Sequence, residues 1–103
     1  MKRPNIVNSV RQKMHRHFPD AEVILFGSEA RGDARRDSDI DLLVLLNQEQ
    51  VTFADKMAVI GSLEDISLKE NVEISPIIYT KMNWQQRPTD YFKMNINREG
   101  IKL

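Results

Sequence analysis

The stretch from Ile24 to Val44 limits the possible folds more than any other part of this chain. Val23-Ile24-Leu25-Phe26 is a continuous apolar run. Gly27-Ser28-Glu29-Ala30-Arg31-Gly32-Asp33 follows it, and Asp39 to Leu46 forms a second run. Apolar runs of this length, bounded by turn residues, are expected of buried strands. In the second run Ile40, Leu42, Val44 and Leu46 face one way, while Asp39, Asp41, Leu43 and Leu45 face the other. One face is apolar throughout, and the other turns polar only at its N-terminal end. That asymmetry predicts a buried strand whose start reaches a functional site.

The flanking segments supply helices and a further strand. Ile6, Val7, Val10, Met14 and Phe18 recur at helical spacing from Asn5 to Phe18, and Pro19-Asp20 ends the pattern. The basic residues Arg3, Arg11, Lys13 and Arg16 on its other face read as a solvated surface. Thr52 and Asp55 resemble a capping box. The helix they open is expected to bury Phe53, Met57 and Ile60, with Leu63 and Ile66, and to kink or split at Gly61-Ser62. Val72 to Tyr79 alternates as a third strand, and Pro76 either places it at a sheet edge or ends it early. Pro88-Thr89-Asp90 opens a last helix that Gly100 stops. The pattern reads as an α/β (α+β) fold, a small mixed β-sheet flanked by helices.

Bulk properties narrow the function classes. The chain has 103 residues, enough for one small domain over 1–103, and a formal net charge of zero. Long nucleic acid is not an expected partner, because its recognition needs an excess of Lys and Arg. There is no cysteine, so disulfides and thiolate metal sites are excluded. The N-terminus is polar, and no apolar run approaches the roughly 20 residues of a membrane span. A cytoplasmic location with no membrane partner is the expectation.

The chemistry-bearing residues cluster in the opening stretch. Gly27 lets the backbone approach a phosphate, and Ser28 is placed to cap a short helix and offer its hydroxyl to an anion. No G-x-x-x-x-G-K-[ST] run is present, which excludes a P-loop. Asp39 and Asp41 lie two apart on one strand face, about 7 Å at their roots, so their carboxylates can converge on Mg²⁺. The competing reading holds them in ion pairs with Arg31, Arg35 or Arg36. Glu73 becomes a third carboxylate, for a second metal or for proton removal, if its strand pairs beside Asp39–Leu46. Arg31 can neutralise phosphate with its fork of donors. Arg35, Arg36, His15 and His17 read as surface residues, and Trp84 and Tyr91 as packing residues. A phosphate-suited turn beside a metal-suited carboxylate pair fits a nucleoside triphosphate handled with magnesium.

Gly27-Ser28, ten intervening residues, then Asp39-Ile40-Asp41-Leu42 resembles the DNA polymerase β-type nucleotidyltransferase superfamily. The fuller string, with Arg31-Gly32-Asp33 and Ser38-Asp39-Ile40-Asp41-Leu42-Leu43-Val44, is similar to its minimal branch, the MNT or MntA-like antitoxins. The ending Asn95-Ile96-Asn97-Arg98-Glu99-Gly100-Ile101 resembles that branch's closing helix. The resemblance implies one minimal nucleotidyltransferase domain, Mg²⁺ (two ions) at Asp39 and Asp41, triphosphate at Gly27 and Ser28, and Arg31 assisting. The family's third carboxylate, usually an Asp, matches Glu73. It also implies transfer of AMP from ATP to a tyrosine of a partner HEPN-domain toxin. The longer side chain at Glu73 motivates an alternative, an antitoxin that neutralises its partner by contact with little or no catalysis.

Overall fold

The computed structural model describes residues 1–103. Its centre is the strand that the sequence marks most strongly. The first helix, α1 (Pro4–His17), has Pro at its first turn and buries Val7, Val10 and Met14 on one face. Strand β1 (Glu22–Phe26) leads into a short helix, α2 (Gly27–Arg31), which Gly32 closes with φ +85°. Strand β2 (Ile40–Leu46) returns antiparallel to β1, placing Asp41 opposite Phe26. Helix α3 (Phe53–Glu70) carries the expected reciprocal cap between Thr52 and Asp55, and Asn71 ends it in the left-handed conformation. Strand β3 (Ile74–Thr80) follows, then α4 (Lys81–Gln86), α5 (Tyr91–Glu99) and a two-residue strand β4 (Ile101–Lys102).

The strands form one mixed sheet in the order β3-β2-β1-β4. β2 and β3 are parallel, joined by the α3 crossover, and the other pairs are antiparallel. β2 is interior to the sheet with helices over both faces, which accounts for its nearly unbroken burial. On one face Ile40, Leu42, Val44 and Leu46 pack with residues of α1 and with Val59, Leu63 and Ile66 of α3. On the other, Leu43 and Leu45 pack with Trp84 and Ile96. Phe26, Phe92, Trp84 and Tyr79 line that second face with edge-on ring contacts of 5.4–5.9 Å. Trp84 is therefore a core residue, whereas Tyr91 is exposed at the start of α5.

Several expectations are corrected. α3 runs unbroken through Gly61-Ser62 and buries Val59, Leu63 and Ile66. Phe53, Met57 and Ile60 are exposed, because they form a second stripe on the flank of the buried one. α4 and β4 have no counterpart in the sequence reading. β3 is an edge strand, as Pro76 requires, but it begins at Ile74, so Glu73 precedes it. No helix is long and apolar enough to cross a membrane.

Candidate active site

The site lies where β1 and β2 come together beneath α2. Gly27 has φ +77°, and a Cβ built there would fall on Oδ2 of Asp41. The glycine is thus required twice, by its backbone conformation and by the carboxylate that fills the space of a side chain. This contact welds the turn after β1 to the polar end of β2.

Ser28 departs from expectation. The cap position of α2 is Phe26, without a side-chain cap, and Ser28 lies inside the helix. Its backbone carbonyl accepts from Gly32 N at 3.0 Å and Asp33 N at 3.1 Å, closing the turn. Its half-buried hydroxyl has no protein partner and stays free for an anion.

Asp39 is exposed and Asp41 half-buried on the same end of the sheet. Neither forms an ion pair: Arg31 pairs elsewhere, and Arg35 and Arg36 are exposed. Ser75, opposite Asp41 on β3, brings its hydroxyl within 3.5 Å of Asp39 Oδ2. Burial pushes the Asp41 carboxyl above its ordinary range, the charge of Asp39 adds to this, and Arg31 opposes it. Two oxygen donors of like charge without a cationic partner fit a hard divalent cation such as Mg²⁺, which Asp39 and Asp41 would hold.

The structure does not gather Glu73 with that pair. No three His, Cys, Asp or Glu side chains come together in an arrangement that could hold a metal ion. The Glu73 carbonyl accepts from Ile40 N at 2.9 Å, so its backbone adjoins β2. The residue is exposed and shares a concavity with Ile60, Leu63, Glu64, Ser67 and Ile74 on the α3 side. The β3 position in step with Asp41 is Ser75.

Arg31 ends α2. Its Nε donates to Asp33 Oδ2 at 3.3 Å and its Nη1 to Glu99 Oε1 at 3.2 Å. The hydrogen bond to Asp33, with the charges of Asp33 and Glu99, raises its pKa further, so it is cationic at every relevant pH.

One residue beside the site escaped the sequence reading. Glu29 is fully buried, and its Oε2 accepts from the backbone N–H of Lys2 at 2.6 Å and Arg3 at 2.8 Å. Its Oε1 accepts from Arg3 Nε at 2.6 Å. A glutamate of α2 thereby caps α1, which has no side-chain cap of its own.

Residues 7–103 match the model of the nucleotidyltransferase domain family. The chain belongs to this family. A relative from Methanocaldococcus jannaschii, named as a candidate protein adenylyltransferase, is 49% identical over 59 residues, which span 57% of this chain and 59% of that protein. A second from the same organism, named likewise, is 32% identical over 97 residues, 94% of this chain and 89% of that protein. Among solved structures, a toxin–antitoxin complex with AMP-PNP matches with a TM-score of 0.65 at 17% identity, over 92% of this chain and 69% of that one. A mutant of the toxin–antitoxin pair MntA-HpeT matches with a TM-score of 0.64 at 15% identity, over 94% and 70%. A candidate nucleotidyltransferase from Sulfolobus solfataricus matches with a TM-score of 0.57 at 20% identity, over 95% and 76%. At these identities the solved structures establish the fold: a mixed sheet with flanking helices, as described above.

Proposed function

We propose that this nucleotidyltransferase moves AMP from Mg²⁺-bound ATP to a hydroxyl of a partner protein and acts as an antitoxin. The observation that carries the reading is the packing of Gly27 against Asp41, which joins a turn suited to phosphate to a carboxylate pair that has no protein cation. The two relatives named for protein adenylyltransferase activity support the adenylyl group and the protein acceptor. The toxin–antitoxin neighbours, one with AMP-PNP, support a toxin partner and an adenine nucleotide. The minimal-branch resemblance adds the finer identity, a tyrosine of a HEPN-type toxin in the cytoplasm. Asp39 is exposed at the end of the sheet, where an acceptor as large as a protein can approach.

In the proposed mechanism Gly27 and Ser28 seat the triphosphate, and Arg31 offsets charge on the departing pyrophosphate. Magnesium held at Asp39 and Asp41, two ions in the family pattern, supplies charge neutralisation on the phosphates. The acceptor oxygen bonds to the α-phosphorus, the bond to the β-phosphate breaks, and the hydroxyl proton passes to a carboxylate or to solvent. Glu73 joins this machinery if its side chain turns from α3 toward Asp39.

The test is to incubate wild type and Asp41→Asn with Mg²⁺, ATP labelled at the α-phosphate, and the candidate toxin. Label on a toxin tyrosine that requires Asp41 is the expected result. Absence of any Asp41-dependent label overturns catalysis. A second reading, neutralisation by contact, is favoured by the gathering of two acids rather than three. It predicts that Asp39→Asn with Asp41→Asn still neutralises the toxin in co-expressing cells.

A further inference from the structure

The closing helix carries a conspicuous motif that the mechanism above leaves without a task. Helix α5 is fixed firmly: Ile96 lies in the second apolar cluster, and the Phe92 ring stands edge-on to Phe26 at 5.6 Å. After it, a Cβ at Gly100 would meet Ile24 Cγ2 at 2.8 Å, so the chain passes tightly over β1 before Ile101 pairs with Leu25. Glu99, the last residue of α5, is therefore held at a defined place with its side chain only 15% exposed. That carboxylate meets Arg31 Nη1, while Asp33 holds Nε and Nη2 has no protein partner. Asp33 lies only two residues from Arg31. Glu99 is the anchor that comes from a distant element.

We infer that Glu99 is a positioning residue, which holds the Arg31 guanidinium at the site with one nitrogen free to meet a triphosphate. This rests on the nucleotide site proposed above and assigns the closing segment a part in nucleotide binding. Partly exposed ion pairs add little to folding stability, so its removal acts on affinity far more than on folding.

Isothermal titration with Mg²⁺ and AMP-PNP tests this on wild type, Glu99→Gln, Glu99→Ala, Arg31→Ala and the double Ala variant. Glu99→Gln keeps the side-chain size and secures the test if Glu99→Ala folds poorly. Glu99→Gln and Glu99→Ala are expected to bind about fivefold more weakly, since misplacing a charged contact by an ångström has effects of at least this order. Arg31→Ala is expected to lose at least as much, and the double variant no more than Arg31→Ala, because the two act as one unit. Wild-type affinity in Glu99→Gln, or additive losses in the double variant, overturns the inference alone. Wild type that binds no Mg²⁺–AMP-PNP overturns the nucleotide site and this inference with it.

Discussion

Asp41 and Glu29 are both acids near the start of the sheet, and they affect folding in opposite directions. Asp41 has a raised pKa through burial and the neighbouring Asp39 charge. The folded state therefore binds its proton more tightly than the unfolded chain does. The stability it lends is complete below the ordinary aspartate value and is lost as pH rises through the folded one. At neutral pH Asp41→Asn is expected to raise Tm in metal-free buffer by calorimetry, while ending nucleotidyl transfer. Glu29 shows the reverse. Burial alone would push its pKa up, but the Arg3 guanidinium and two backbone N–H groups hold it below the usual range. Its stabilisation is present above the ordinary glutamate value and is lost as pH falls through the lower folded one. Glu29→Gln leaves the Arg3 guanidinium largely buried without its counter-charge and is expected to cost about 3 kcal/mol in urea unfolding. A variant as stable as wild type would show that the ion pair contributes nothing net.

At the scale of elements, Gly61 offers a direct measurement. It lies within α3, and a Cβ there meets nothing within 4 Å. Gly61→Ala is expected to stabilise the protein by about 1 kcal/mol, read as a higher urea midpoint with an unchanged m-value. The same helix shows where the sequence is ambiguous. Val59, Leu63 and Ile66 form one apolar stripe, and Phe53, Met57 and Ile60 another. Both have helical spacing, and only the placement of the sheet decides which is buried. β1, β2 and α1 were legible because their apolar patterns admit one face or one run. β3 was legible in type and edge position, but its start was not, since the alternation of Val72 and Glu73 continues smoothly into Ile74. In the register of β2 and β3 it is Ser75 that stands in step with Asp41. β4 is two residues long, too short for any periodicity. The anchoring of Arg31 by Glu99 spans 68 positions in the chain and leaves no local signal.

Over the whole molecule, the sheet brings together residues that no single element could. The turn at Gly27, Asp39 and Asp41 at the start of β2, Ser75 of β3 and Glu99 at the end of α5 all reach the same region, because β2 and β1 are the two middle strands. The central acids are the weak point of that frame, since neither has a protein cation to balance it. A ligand that binds only the folded state stabilises it by RT ln(1 + [L]/Kd), about 1.4 kcal/mol at ten times Kd. For a domain of this size that corresponds to a Tm rise of roughly 5 °C or more. Mg²⁺ is therefore expected to raise the Tm of wild type in a saturable manner. Asp39→Asn with Asp41→Asn, which removes both charges, should start from a higher metal-free Tm and show no saturable rise. Glu73→Gln, whose side chain lies on the α3 side, should respond as wild type does. An equal Mg²⁺ response in wild type and the double Asn variant would place the ion elsewhere and remove Asp39 and Asp41 from its binding.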